Sequence, residues 1–109
     1  MSGLTRDVAV AGVGYWPSVR SGHFDIREIT LAACRAALED AGLAPNDVDG
    51  IVQYSFGSDS PNAVGAQRLL GIENLHVFND IMGSGPSGMA SAMDASMAIA
   101  SGACETVLV

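Results

Sequence analysis

Residues 86–102 form a segment with almost no charge, and this segment constrains the fold more than any other part of the chain. It consists mainly of methionine, alanine, serine and glycine, and Asp94 is its single charged residue. A helix on a protein surface normally has an apolar stripe and a charged face. Because the charged face is missing, the sequence predicts a helix over 86–102 that is buried on nearly all sides. Pro86 suits the first helical position, with Ser84 or Gly85 as its cap.

The rest of the chain alternates short apolar runs with helical patterns. An order of strand, helix, strand, repeated along the chain, predicts a parallel sheet with right-handed crossovers. A second, shorter helix is predicted over about 61–70, closed by Gly71. The predicted strands are 7–14, 50–56, 75–79 and 105–109.

The first helix has clear signals at both ends. Asp25 and Glu28 occupy the positions of a capping box, while Gly42 ends the helix and Pro45 blocks its continuation. One face of this helix is predicted to be apolar and the opposite face to be exposed, the latter carrying Arg27, Arg35 and Glu39. The predicted apolar face is Ile26, Ile29, Thr30, Ala33 and Ala37.

Composition limits the classes of partner. The chain has 109 residues and a formal net charge of -7. This charge argues against binding to nucleic acid or to an anionic membrane, since both are negatively charged themselves. No run is long enough for a membrane-spanning helix, and the N-terminus lacks the apolar core of a signal peptide. Cys34 and Cys104 have no metal-ligand spacing, so we expect reduced structural thiols in a cytoplasmic protein.

Three glycines, Gly83, Gly85 and Gly88, match the dinucleotide-binding spacing G-x-G-x-x-G. The motif, however, follows two complete strand–helix units instead of opening the first, and its predicted helix has no solvent face. The acidic residue expected at the end of the next strand is missing, because Glu105 precedes that strand. A nucleotide site is therefore disfavoured, and a tight glycine turn without chemistry remains an alternative.

Three other polar residues could suggest chemistry. His23 and His76 lack a partner at a meaningful spacing, and we interpret both as structural. Asp94 lies on a helix that is predicted to be buried, so its carboxylate must be hydrogen-bonded or paired. We predict that Asp94 holds a neighbouring loop.

Three segments together resemble the N-terminal half of the thiolase superfamily. They read VAVAGVGYWP, ALEDAGLAPNDVDGIV and SGMASAMDASMAIASGACETVLV. Their details are similar to the lipid-transfer-protein group, which includes sterol carrier protein x thiolases and steroid side-chain aldolases. The resemblance implies an α/β fold of order β-α-β-α-β-α-β with a buried central helix. It also implies that residues 1–109 are a partial N-terminal domain of a longer protein.

The resemblance also identifies a candidate site. In thiolases the buried helix begins with a Cys-x-Ser-Gly motif whose cysteine accepts the acyl group, and aligning Ser87 and Gly88 with it puts Gly85 in place of the cysteine. Acyl transfer through a thioester needs that thiolate, whereas retro-aldol cleavage needs a base and donors for the developing oxyanion. The resemblance therefore implies retro-aldol cleavage of a β-hydroxyacyl-CoA. The residues expected to line the reaction centre are Gly83, Ser84, Gly85, Pro86, Ser87 and Gly88.

Partners follow from the same resemblance. The aldolases of this group cleave steroid-CoA side chains and act with a zinc-containing OB-fold partner protein. Coenzyme A is expected only as part of the acyl-CoA substrate, with no cofactor or metal on this chain. Thiolase-like proteins pair through the strand that corresponds to Leu75–Phe78, so we expect a homodimer there. The catalytic acid and base are expected outside residues 1–109.

Two other functions remain open from the sequence. A thiolase-type acyltransferase would require a nucleophile that the alignment at Gly85 has missed. A non-catalytic thiolase-like subunit would instead shape the site of a partner. Acylation of a cysteine during turnover would distinguish the acyltransferase from an aldolase. The residues beyond Val109 would distinguish the non-catalytic subunit from an aldolase.

Overall fold

A parallel sheet of three strands organises the described part of the chain, which comprises residues 6–17, 22, 24–55 and 60–109 of a computed structural model. The central strand β1 (Gly50–Ser55) pairs with β2 (Val77–Met82) on one side and with β3 (Val107–Leu108) on the other. All pairs are parallel, and Gly50 lies opposite both Val77 and Val107. The predicted α/β class with a parallel sheet is therefore confirmed for these strands.

Helices cover both faces of β1. Ile51 is 2% exposed and belongs to a core cluster with residues of α1 (Ile26–Ala41) and α2 (Ala63–Leu70). Val52 is fully buried and points to the opposite face, because successive side chains of a strand alternate. That face contacts α3 (Ser87–Ala100). The core cluster comprises Leu38, Val48, Ile51, Ala63, Ala66, Leu70 and Ile72.

The strand predicted over 7–14 is wrong. Residues 7–14 form no regular secondary structure and lie along α1, where the amide of Val13 donates to the Asp40 carboxylate at 2.9 Å. Side chains at Gly12 and Gly14 would clash with the helix backbone at Ala37, so the two glycines let the main chains approach closely. These contacts replace sheet pairing and leave Val10 85% exposed.

Both ends of α1 lie where the sequence predicts, with Asp25 as the N-cap. Among the described residues Asp25 and Glu28 do not form the predicted capping box, because the Asp25 side chain accepts from Arg27. The core face of α1 also differs from the predicted one. Asp25 accepts from the Arg27 amide at 2.8 Å, and Gly42 ends the helix at a φ of +72°. Instead of the predicted face from Ile26 to Ala37, the face with Leu38 packs on the core, and Ile26 is 44% exposed. Alanines lie on both sides of this helix, so the larger leucine side chains decide which side is buried.

The burial on nearly all sides predicted for the last helix is not present within the described residues. Only one face of α3 is buried, formed by Ser87, Ser91, Ala95 and Ala100. These small side chains allow close packing on the sheet, which covers one side of the helix. The opposite methionine face is exposed, with Met89 at 72%, Met93 at 64% and Met97 at 55%.

Several element bounds shift from the predicted ones. The strand predicted over 75–79 is Val77–Met82, the one predicted over 105–109 is Val107–Leu108, and the helices predicted to begin at 61 and 86 begin at Ala63 and Ser87. Gly71 ends α2 with a φ of +72°, as predicted. Within the described residues, no helix has the length and apolarity required to cross a membrane.

Asp49 connects the starts of all three strands. Its carboxylate accepts from the Glu105 amide at 3.0 Å and from the Thr106 amide at 2.9 Å, just before β3. Its carbonyl accepts from the amides of His76 and Val77 at 2.8 and 3.2 Å, at the start of β2. Asp49 itself immediately precedes β1, so one residue fixes the register of the sheet at its amino edge.

Candidate functional site

The glycine turn, residues 83–88, lies at the carboxyl edge of the sheet. It follows β2 directly, and the amide of Gly83 donates to the carbonyl of Ser55 at the end of β1 at 3.3 Å. Ligands of open parallel sheets bind outside the carboxyl ends of the strands. The six residues predicted for the reaction centre are thus brought together at an edge where this type of sheet binds ligands.

Two glycines in the turn have different structural roles. Gly83 has a φ of +154°, and a Cβ atom there would lie 2.6 Å from the Ser87 hydroxyl. Gly85 has a φ of +55°, and apart from Gly85 and its two chain neighbours no heavy atom of the described residues lies within 4 Å of where its Cβ would be. Packing therefore excludes a side chain at Gly83, whereas Gly85 borders open space.

The start of α3 presents backbone amides. The amide and hydroxyl of Ser87 both donate to the Ser84 carbonyl, at 3.4 and 3.2 Å, so the carbonyl of Ser84 contacts the helix start instead of the predicted side-chain cap. The next backbone hydrogen bond runs from the amide of Ala90 to the carbonyl of Pro86, at 3.0 Å. Among the described residues no carbonyl accepts from Gly88 or Met89, and such free amides carry the partial positive charge of a helix start.

The hydroxyls at this helix start are already engaged. Ser87 is 8% exposed and Ser91 is 1% exposed. The Ser91 hydroxyl donates to the Ser87 carbonyl at 2.9 Å, in the same way that Ser87 donates to Ser84. Both hydroxyls already donate to carbonyls of the helix start, so neither Ser87 nor Ser91 is free to act as a nucleophile.

The cysteines lie away from the glycine turn. Cys34 lies within α1 and packs against the core cluster, and Cys104 is 2% exposed beyond the opposite end of α3. Burial raises the pKa of the Cys34 thiol. Burial also raises the pKa of Cys104, and the charge of Asp49 acts in the same direction while Arg6 opposes it. Both thiols are free of disulfides, and these environments disfavour the thiolate.

The remaining polar candidates have structural contacts. Asp94 accepts from the side-chain amide of Asn79 at 2.8 Å, so it holds strand β2 instead of the predicted loop. His76 lies 3.6 Å from Asp49, and Glu105 lies before β3, as the sequence predicted. His23 lies outside the described residues. The described residues contain no group of three His, Cys, Asp or Glu side chains that could hold a metal ion.

Sequence reasoning missed Asp80, which ties the carboxyl edge to α2. Its carboxylate accepts from the amide of Ala63 at 2.8 Å and so occupies the start of that helix. The two residues are 17 positions apart, and only the polar pair Asn79–Asp80, at the end of the strand predicted over 75–79, could have signalled a special contact. Asp80 thereby fixes α2 at the same edge as the glycine turn.

Replacing Gly83 by alanine is expected to lower the free energy of unfolding by about 2 kcal/mol, because the backbone conformation is unfavourable and Cβ meets Ser87. The matched change Gly88→Ala meets no atom within 4 Å and should instead stabilise α3 by about 0.5–1 kcal/mol. Urea denaturation of both variants checks this. Equal effects of the two alanines would show that packing at Gly83 is not limiting.

Curated proteins similar to this chain are named for carbon–carbon bond cleavage. This chain is 35% identical over 109 residues to a steroid side-chain-cleaving aldolase from Thermomonospora curvata. It is 34% identical over 106 residues to a 17-hydroxy-3-oxo-4-pregnene-20-carboxyl-CoA lyase from Mycobacterium tuberculosis. The alignments cover 99% and 96% of this chain and 27% of each relative, so the chain spans about a quarter of their length.

The fold agrees with this similarity. A solved structure described as Ltp2-ChsH2(DUF35) aldolase superposes with a TM-score of 0.79 at 35% identity, covering 91% of this chain and 25% of the other. No protein-family model matches the chain. Sequence and structure together therefore support a relationship to aldolases.

Proposed function

We propose that this chain forms part of the reaction centre of an aldolase that cleaves a β-hydroxyacyl-CoA. The observation that carries the proposal is the glycine turn at the carboxyl edge of the sheet, with open space at Gly85 and free amides at Gly88 and Met89. The similarity to aldolases over nearly the whole chain supports this assignment.

The proposed reaction needs donors more than a nucleophile. A base takes the proton of the β-hydroxyl, the β-carbon becomes a ketone, and the bond between the α- and β-carbons breaks. The electron pair of that bond moves into the thioester as an enolate, which then takes up a proton to give the shortened acyl-CoA. The amides of Gly88 and Met89 suit the enolate oxygen, because aligned donors stabilise charge where it develops.

The finer proposal is a thiolase-like scaffold in which Gly85 takes the position of the acyl-accepting cysteine. The open space at Gly85 supports it, as do the positions of half-buried Cys34 within α1 and of buried Cys104 beyond the far end of α3. The names of the relatives support a steroid side chain as the acyl group. The substrate would contribute coenzyme A, and the chain would need no nucleophile of its own.

Two interactions with other chains complete the proposal. The solved relative is named for two components, Ltp2 and ChsH2(DUF35), which supports a partner protein for this chain, of the zinc-containing OB-fold type that the resemblance implies. Strand β2 lies at the edge of the sheet and exposes 58% of Phe78, which supports a homodimer through this edge.

The complete protein, assayed with its partner, is expected to release a ketone and a shortened acyl-CoA from a β-hydroxyacyl-CoA. The double variant Cys34→Ala, Cys104→Ala should keep this turnover wherever it remains folded, because neither thiol takes part. Circular dichroism provides the folding control, and mass spectrometry of protein quenched during turnover looks for an acyl group. Acylation of either cysteine would contradict the aldolase and favour an acyltransferase.

A further inference from the structure

A second cleft lies between α1 and α2 and is separate from the glycine turn. It is a shallow, open cleft of about 440 Å³ between the first turn of α1 and one face of α2. Ile26, Pro61 and Leu69 supply its apolar surface. Its polar side chains are Arg27, Arg68 and Ser60, and we call it the arginine cleft.

The arginine cleft concentrates positive charge in an acidic protein. The chain has a net charge of -7 and only five basic side chains, all of them arginine. Four of these arginines lie in the described residues, and two of the four, Arg27 and Arg68, line this one cleft. Such a local concentration opposes the overall charge and favours an anionic ligand.

The two arginines differ in their partners. Arg27 donates from Nε and Nη2 to Asp25, at 3.2 and 2.8 Å, and these bonds lower the pKa of Asp25 to about 2. The charge of Arg27 is thus largely balanced, although part of its guanidinium remains unbonded. The guanidinium of Arg68 makes no ion pair or hydrogen bond with any described residue, so it carries the net positive charge of the cleft.

Ser60 adds a second, independent feature. Its hydroxyl oxygen is buried and has no hydrogen-bond partner among the described residues. A buried polar group without a partner is uncommon in folded proteins and calls for a specific reason. Because this oxygen is closed to solvent, the Ser60 side chain must rotate toward the arginine cleft before a ligand there can supply the missing hydrogen bond.

One end of the arginine cleft lies near the carboxyl edge of the sheet, while Arg68 lies in the last turn of α2. Ser60 and Pro61 come just before α2, and the first amide of α2, at Ala63, is held by Asp80 near the end of β2. The start of α2 and the glycine turn therefore lie at the same carboxyl edge. An acyl-CoA needs two such regions, because its long pantetheine arm separates the phosphate groups from the thioester.

We propose that the arginine cleft binds the phosphate groups of coenzyme A while the thioester lies at the glycine turn; this inference rests on the proposed function. The planar guanidinium of Arg68 can donate two parallel hydrogen bonds to phosphate oxygens. The apolar surface of the cleft contacts the neutral part of the ligand, and the Ser60 hydroxyl donates to a phosphate oxygen.

The test measures binding of coenzyme A to the complete protein by calorimetry. Arg68→Gln is expected to weaken binding roughly ten-fold, the loss typical of one charge-assisted hydrogen bond. Arg35→Gln removes the same charge from an exposed site on α1 outside the cleft and should leave binding unchanged. Unchanged binding in Arg68→Gln, or no binding of coenzyme A to the unmodified protein, would overturn the proposal.

Two further ligands identify the phosphate. If Arg68 contacts the 3′-phosphate, Arg68→Gln and the unmodified protein should bind 3′-dephospho-coenzyme A equally well. If Arg68 contacts the diphosphate, Arg68→Gln should bind this ligand more weakly as well. Pantetheine has no phosphate and should bind Arg68→Gln and the unmodified protein equally. A loss with pantetheine as large as that with coenzyme A would show that the substitution acts through the fold, against the proposal.

Ser60→Ala separates binding from folding. The hydroxyl has no partner among the described residues, so its removal should not lower the melting temperature, whereas coenzyme A should bind more weakly. A lower melting temperature with unchanged binding would contradict a ligand role for Ser60. The cleavage assay separates the two proposals: binding that depends on Arg68 without cleavage refutes the aldolase alone, while cleavage with binding independent of Arg68 refutes the cleft alone.

Discussion

Replacing Gly85 by leucine is expected to abolish cleavage of a β-hydroxyacyl-CoA while the protein remains folded. No described atom lies within 4 Å of the Cβ position, so the new side chain enters the space proposed for the substrate. We expect kcat/KM to fall by at least about 100-fold, since small displacements of reacting groups have effects of that size. Gly85→Cys should likewise bring no gain in turnover, because a sulfur atom would occupy the same space.

The control for Gly85→Leu is Gly42→Leu. Gly42 has a similar φ of +72°, also has no atom within 4 Å, and lies at the end of α1. Both substitutions should cost about 1–2 kcal/mol of stability, because leucine disfavours the left-handed conformation. Only Gly85→Leu should impair turnover. Unchanged kinetics in this variant would locate the reaction centre elsewhere.

Asp49→Ala is expected to lower the free energy of unfolding by about 2–3 kcal/mol, because it leaves the amides of Glu105 and Thr106 without their acceptor. Asp49→Asn keeps one acceptor oxygen and should cost less. Glu73→Ala removes another carboxylate, one that is exposed and makes no side-chain hydrogen bond in the described structure, and it should have little effect. Chemical denaturation measures all three variants, and an equal effect of Asp49→Ala and Glu73→Ala would contradict the role of Asp49.

Local signals were predictable from the sequence because their partners are close along the chain. Asp25 accepts from a residue two positions later, and Gly42 and Gly71 end their helices through bonds within the last turn. The prediction of a strand over 7–14 was wrong because Gly12 and Gly14 allow the main chain to approach α1 closely, and the pattern of apolar residues does not reveal such an approach. The methionine face of α3 is exposed in the described residues although it carries no charge, because the absence of charge shows only that a face tolerates burial, while neighbouring elements determine whether it is covered.

The candidate site at residues 83–88 came from the resemblance and stays a prediction. The sequence did indicate a glycine turn before an apolar helix, whereas its place at the carboxyl edge of the sheet comes from the fold. The separate roles of Gly83 and Gly85 depend on the Ser87 rotamer and on empty space, neither of which is visible in the sequence. Asp49 and Asp80 act on residues 56–57 and 17 positions away, so only the folded chain identifies them.

The methionine face of α3 gives this helix two sides with different chemistry. The thioethers of Met89, Met93 and Met97 are exposed, and oxidants convert such groups to polar sulfoxides. The face that packs on the sheet consists of serine and alanine and contains no sulfur. Oxidation therefore changes the polarity of the outer side of α3 and leaves its packing on β1 intact. Any surface that recognises this side through apolar contact becomes sensitive to redox conditions, and reductases that repair methionine sulfoxide would restore it.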